Sequence, residues 1–439
     1  MTGSLFDSPL YSGLFPTAEM RRLFTDSAAI RAMLLVEGTL AKVQGELGVI
    51  PELSAAAIHR ASLEAEIDPG ALAKATAQNG VPVPALVTAF RAEMNAPEHS
   101  QFVHWGATSQ DIMDTALMLR LRQGLTLLEH DIGTVLRHLA DLSETHADTP
   151  MVARTWGQHA TPTSFGAVVA AWGAPLLDLL EELPALRARS LLVSLSGATG
   201  TASALGPNAA EQRRALATAL GLEDPNRSWH TDRGPVLALS GWMARCVVAL
   251  GKMAEDVGAM LQSEVSELIP GATGASSTMP QKRNPVEASV IASLCQQVSA
   301  ANGVLHRAGV HRFQRDGAAW FTEWAALPQI VLGTAAAVTQ AAGLTASLTP
   351  NPTRMRALLD AGQGLIYAEA LSFALAETMP RPEAQAAVKA LCKKATAEQA
   401  ELKDLALAAY PQLDATLFSP QRILGQAPAD ARAFAARCR

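Results

Sequence analysis

Two adjacent serines, a lysine and an asparagine share the short stretch Gly271-Ala-Thr-Gly-Ala-Ser-Ser-Thr-Met-Pro-Gln-Lys-Arg-Asn-Pro285. Its glycines and prolines oppose regular structure and leave backbone N–H groups unused, beside hydroxyls and a fixed positive charge. That combination suits proton transfer at a carbon next to a carboxylate, where negative charge builds on oxygen and needs nearby donors. The plain alternative is a mobile helix–helix connector, or a nest of N–H groups that binds an anion without catalysis.

Two further stretches gather polar residues in apolar surroundings. In His104-Trp-Gly-Ala-Thr-Ser-Gln-Asp111, Thr108 and Ser109 stand just before a long helical pattern and Asp111 near its start. An N-cap accounts for that arrangement, because these side chains satisfy orphan N–H groups and the helix dipole. A helix N-terminus also attracts carboxylates, which keeps a binding role open. In Arg154-Thr-Trp-Gly-Gln-His-Ala-Thr-Pro162, Thr155, Trp156, Gln158 and His159 cluster between two expected helices. Gly197-Ala-Thr-Gly200 lacks a strand–helix–strand context, so we expect a helix-connecting turn rather than a dinucleotide site. The ten histidines include no metal-binding spacing such as His-Glu-x-x-His.

The elements that must position these residues are helices. Leu117, Leu121, Leu125, Leu128, Ile132, Val135, Leu139 and Leu142 step by three or four, with no proline between Pro97 and Pro150. That periodicity predicts one long amphipathic helix after Ser109. Further long helices are expected over about 161–190, with Pro175 and Pro184 as kinks or ends, and over 235–269 and 285–327. The uncharged segment that continues to Leu348 makes a fifth. Five such helices imply an elongated bundle, and their apolar excess implies association of identical chains. The fold class is therefore all-α, with an N-terminal helical domain (1–105), a central long-helix bundle (106–348) and a small C-terminal helical domain (349–439).

Bulk properties narrow the function. The chain has 439 residues, 17% charged and 49% hydrophobic, with Lys+Arg 35 against Asp+Glu 41 and a formal charge of -6. A folded protein with a large core follows, without the basic excess of a nucleic-acid binder. No charged residue falls between Ala325 and Thr353, but alanine, glycine, threonine and two glutamines favour a buried helix over a membrane span. The first residues lack a basic start followed by an apolar run, so no secretory signal is expected. Cys246, Cys295, Cys392 and Cys438 form no Cys-x-x-Cys pair. Buried thiols in a reducing cytoplasm are expected.

The pattern Ser-Ser-x-Met-Pro-x-Lys-x-Asn-Pro, following the other two stretches in order, resembles the three signature regions of the fumarase/aspartase superfamily. The resemblance covers essentially the whole chain. It implies an all-α homotetramer with each active site assembled from three subunits and a small-molecule tricarboxylate as substrate; no cofactor is expected, because such a substrate supplies both nucleophile and acceptor without redox change, and no metal site is visible in the sequence. It departs at Ala275, where a glycine usually precedes the paired serines. Thr155-Trp156 replaces the Thr-His usual in the amine-releasing lyases. With Val103–Leu117 and Trp229-His-Thr231, that tryptophan resembles the superfamily's cycloisomerase branch, which lactonises 3-carboxy-cis,cis-muconate.

By this resemblance Ser276 carries the proton at carbon, and Lys282 and Asn284 stabilise the dianionic intermediate. Thr108, Ser109, Thr155, Gln158 and Arg315 hold substrate carboxylates, with His159 and His230 as further contacts. The exchange of imidazole for indole has a physical rationale. An amine or hydroxide leaves best with a proton donor nearby, whereas a carboxylate, pKa about 4, attacks and departs as an anion. Trp156 can then serve as an apolar wall that folds the substrate toward ring closure. An amine-releasing lyase, a non-catalytic structural paralogue and a cycloisomerase of another diacid are the competing expectations.

Overall fold

The computed structural model describes residues 3–17, 19–271 and 274–439. Met1 and Thr2 of the N-terminal segment lie outside the described residues, as do Ala272 and Thr273 of the serine loop.

Helices dominate. Apart from single turns at Met20–Leu23 and Pro97–Ser100, the first are α1 (Asp26–Glu46), α2 (Glu52–Glu64), α3 (Pro69–Asn79) and α4 (Val83–Met94). The long α5 (Ser109–Thr145) follows, then an antiparallel hairpin of β1 (Pro150–Thr155) and β2 (Gln158–Ser164), α6 (Phe165–Ser190), α7 (Ala209–Leu220) and α8 (Gly234–Met260). Next come β3 (Leu268–Ile269), α9 (Val286–Ala308), α10 (Gly317–Ser347) and β4 (Thr349–Pro350), with β3 and β4 paired antiparallel. Five helices close the chain: α11 (Pro352–Asp360), α12 (Ala368–Ala376), α13 (Arg381–Glu398), α14 (Leu402–Ala409) and α15 (Ala427–Arg437).

The chain divides into two compact units. One holds residues 1–131, 179–248 and 293–340, the other 132–178, 249–292 and 341–439. The long helices α5, α6, α8, α9 and α10 contribute residues to both. In the first unit α1 packs along α2, and Leu34, Leu40, Ile58, Leu86 and Phe90 are buried. In the second, Phe165 meets Trp172 edge-on at 6.1 Å, and the Trp172 indole donates to Asp256 at 2.7 Å. A separate apolar cluster of Leu371, Leu375, Val388 and Leu402 holds α12, α13 and α14.

The apolar stripe of α5 is buried as its periodicity predicts, from Leu121 and Leu125 to Leu139. Three expectations need correction. Residues 158–164 form a strand, so the next helix begins at Phe165; Pro175 and Pro184 do not end it. The helix expected over 235–269 stops at Met260. The helix expected over 285–327 breaks after Ala308, and its second part is continuous with the uncharged segment as α10. Phe313 takes a left-handed conformation at this break. The Asp316 carboxylate then caps the new helix, accepting from the N–H groups of Ala318 and Ala319 at 3.0 and 3.4 Å.

By length and composition α8 and α10 could cross a membrane, but 67% of the apolar window of each is buried in the protein. That is the character of core helices. Cys246 is buried, whereas Cys295, Cys392 and Cys438 are only part-buried, so the expectation of buried thiols holds for the first.

Candidate active-site residues

In the first unit the signature residues gather at the start of α5. Asp111 is fully buried and its two oxygens accept five hydrogen bonds. The donors are the Thr108 N–H (3.1 Å), the Ser194 hydroxyl (3.0 Å), the N–H groups of Ser196 and Gly197 (2.9 Å each) and His230 Nε2 (2.8 Å). The Thr108 bond is half of a capping box, so the N-cap reading holds for Asp111. The bonds from Ser194, Ser196 and Gly197 pull the segment after Ser190 onto the helix end, and His230 ties in the segment after α7. Gly197-Ala-Thr-Gly200 lies in that segment, which connects α6 to α7 as expected for a helix-connecting turn.

Gln110, also buried, spans the cluster. Its amide nitrogen donates to Asp114 at 3.1 Å and to the His230 carbonyl at 2.8 Å, while its oxygen accepts from Arg315 Nε at 2.8 Å. A second bond, to the Ala198 carbonyl at 3.1 Å, completes the hold on Arg315. Thr108, Ser109, His230 and Arg315 are thereby brought together, with Thr108 and Ser109 half-buried and the arginine exposed. Beneath them Arg233, 1% exposed, forks onto Asp114 at 2.8 and 3.0 Å and onto Glu323 at 2.8 and 2.7 Å. Burial works against the guanidinium charge, but the two carboxylates outweigh it and raise its pKa. Burial also pushes the Glu323 carboxyl up despite Arg233.

Two residues near this cluster carried no decisive sequence signal. His311 is half-buried and neither ring nitrogen finds a hydrogen-bond partner among the described residues. Burial first, then the Arg233 charge, holds its imidazole below the ordinary value, favouring the neutral ring. His104 takes a left-handed backbone and meets the buried Glu37 at 2.6 Å. Burial opposes its charge, but the Glu37 hydrogen bond and carboxylate outweigh that and raise its pKa.

In the second unit the Arg154–Pro162 stretch is the hairpin tip. Trp156 and Gly157 form a two-residue loop with φ of 54° and 74°, between the paired Thr155 and Gln158. Two positive φ values mark a type I′ turn, the geometry that matches strand twist. Thr155, Gln158 and His159 are exposed, and the Trp156 side chain is completely so. The base is fixed by Arg154, which donates at 2.8 Å to the fully buried Glu267, the residue just before β3. Strand β3 leads into the serine loop.

That loop is a tight reversal. Asn284 N–H donates to the Gly274 carbonyl at 2.8 Å and Ser276 N–H to the Lys282 carbonyl at 3.3 Å. A Cβ on Gly274, whose φ is +77°, would lie 2.0 Å from the Asn284 carbonyl oxygen, so only glycine fits. Ala275 needs no such freedom: it pairs with Arg283 in an ordinary bridge. The Ser276 hydroxyl oxygen accepts two backbone N–H bonds, from Thr278 at 3.3 Å and Met279 at 3.1 Å. Hydrogen bonds to the charged form of an acid favour ionisation. Lys282 and Asn284 are exposed on the same loop. Among the described residues no recorded hydrogen bond joins the hairpin tip to this loop, and no cluster of His, Cys, Asp and Glu could hold a metal ion.

The lyase family model matches residues 15–300. The 3-carboxy-cis,cis-muconate cycloisomerase of Pseudomonas aeruginosa is 37% identical over 433 residues, 96% of this chain and 94% of that protein. Nitrosuccinate lyase of Streptomyces davaonensis is 34% identical, covering 97% and 94%. The crystal structure of 3-carboxy-cis,cis-muconate lactonizing enzyme from Pseudomonas putida superposes with a TM-score of 0.90 at 35% identity, over 98% of this chain and 99% of that one. The chain belongs to this lyase family, the fumarase/aspartase superfamily.

Proposed function

We propose that this protein catalyses the intramolecular lactonisation of 3-carboxy-cis,cis-muconate to 4-carboxymuconolactone, a step of protocatechuate breakdown by the β-ketoadipate route. One substrate carboxylate adds through oxygen to a double bond. The displaced π electrons move onto a second carboxylate as an enolate-like dianion, and a proton is then delivered to the carbon adjacent to that carboxylate. Electrons balance within the substrate, and the one proton added at carbon comes from Ser276, whose alkoxide regains it from water after turnover, so the step needs no redox partner, and no cofactor is invoked.

Ser276 delivers the proton. The observation that carries this reading is the pair of backbone N–H groups on its oxygen, because they stabilise the alkoxide left behind. Lys282 and Asn284 stabilise the dianion. Thr108, Ser109, Thr155, Gln158 and Arg315 hold the carboxylates, Arg315 able to do so bidentately. His159 and His230 are further contacts. Trp156 supplies an apolar wall where a proton donor is not needed.

The protein works as a cytoplasmic homotetramer, with each site assembled from three subunits. The fully exposed Trp156 and the exposed Val248 and Val304 on the long helices α8 and α9 support association. We read its domains as 1–105, 106–348 and 349–439. The direct test is spectroscopic: conjugated 3-carboxy-cis,cis-muconate absorbs in the ultraviolet and its lactone much less. Loss of absorbance on mixing with purified protein is expected, and unchanged absorbance overturns the proposal.

A C–N lyase is the second reading, favoured by the similarity to nitrosuccinate lyase. Nitrosuccinate and adenylosuccinate, run in parallel, decide between them. A non-catalytic paralogue would not require Ser276, Lys282 and Asn284 together.

A further inference from the structure

Two guanidinium groups of the first unit, Arg233 buried and Arg120 part-buried, are in opposite circumstances. Arg233 is matched by two carboxylates. Arg120, on α5 and largely out of solvent, has no carboxylate partner among the described residues. Its Nη1 makes one long bond, 3.4 Å, to the Leu23 carbonyl, its Nε has no hydrogen-bond partner among the described residues, and the Phe24 ring lies 5.4 Å from it. Burial alone pulls its pKa down to about 10. A guanidinium left this way destabilises the fold unless something pairs it.

Arg120 lines a cavity of about 300 Å³, room for roughly ten waters or one small organic molecule. The walls are apolar and aromatic: Phe24, Met33, Met113, Trp320 and Trp324, the two indoles meeting at 4.9 Å. Met113, Asp114, Ala116 and Leu117 of the Val103–Leu117 stretch line it, but none of Thr108, Ser109, Thr155, Trp156, Gln158, His159, Ser276, Lys282, Asn284 or Arg315 does. Asp114 and Glu323 also reach the cavity, but both are engaged by Arg233. Asp26, exposed, is the remaining acid on its wall.

We propose that this cavity is a binding site for a small aryl monocarboxylate. The carboxylate would pair with Arg120 and the ring would lie among Phe24, Trp320 and Trp324, an apolar enclosure with one fixed polar group. The three acids on the wall select against di- and tricarboxylates, so the site would not take the substrate proposed above. The inference does not depend on that reaction.

Benzoate is the probe. Calorimetric titration into the full-length protein is expected to show saturable binding, with acetate at least tenfold weaker. Arg120→Gln should weaken benzoate at least tenfold, the value of a charge-assisted hydrogen bond pair. Ala29→Phe, which fills the cavity from α1 while leaving Arg120 in place, should abolish it; this variant carries the test if Arg120→Gln fails to fold. Undetectable benzoate binding, equal affinity for acetate, or benzoate affinity unchanged in both variants overturns the proposal.

Discussion

The residues at the start of α5 and those of the hairpin and serine loop are built in opposite ways. Around Asp111 nearly every polar atom is committed: the carboxylate accepts five hydrogen bonds, Gln110 makes three, and Arg233 is held by two acids. Thr155, Trp156, Gln158 and His159 in the other unit stand exposed, and Ser276 is held through backbone N–H groups. Folding alone therefore organises the first group, whereas the second is presented outward. Substitutions in the buried network should be felt as lost stability. Those on the outward groups should be felt as lost turnover on an intact fold.

Ser276→Ala gives the largest expected effect. It leaves Thr278 and Met279 N–H groups in an exposed loop where water replaces the hydroxyl, so the unfolding midpoint should move little. Turnover should fall by about a thousandfold or more, the scale of a lost proton-transfer group. Wild-type rates in this variant would remove the serine from the mechanism. Asp111→Asn should do the reverse. It turns an acceptor surrounded by donors into a group with two donors of its own, at an expected cost of about 3 kcal/mol in urea unfolding. A variant as stable as wild type would show that the buried network does not position the helix end.

Arg315 sits at the margin between the two kinds, exposed yet tied to Gln110 and the Ala198 carbonyl. Arg315→Lys keeps the charge and loses the planar fork, so KM should rise about tenfold with a smaller change in kcat. An equal fall in kcat with KM unmoved would assign the arginine to the transition state instead of ground-state binding.

How legible each region was follows from the range of its interactions. The serine loop and α5 declare themselves locally, through Gly and Pro breaks and a period of three to four. The hairpin does not, because a tryptophan occupies the first left-handed position of the turn where asparagine or glycine is the usual signal. An L-residue there costs about 1–2 kcal/mol, met by the pairing of Thr155 with Gln158. The break before α10 was hidden by apolar residues that continue the helical pattern on both sides of residues 309–316. The partners of Asp111 come from Ser194–Gly197 and His230, too distant in sequence for any periodicity to reveal.

The smallest expected effect probes the edge of the buried group. His104 bears a pKa raised above the ordinary value of about 6.5 by Glu37, against the opposing burial. Because the folded state holds the proton more tightly than the unfolded chain, the pair's contribution is complete below the unfolded pKa. It is lost as pH rises through the raised folded value. His104→Gln removes that dependence, so the difference in unfolding midpoint between wild type and variant should be full at about pH 5.5 and shrink as pH rises above about 6.5 through the raised folded value. A difference independent of pH would mean that the imidazole is held neutral against Glu37. The buried network would then end at Asp111, without extending through His104 to α1.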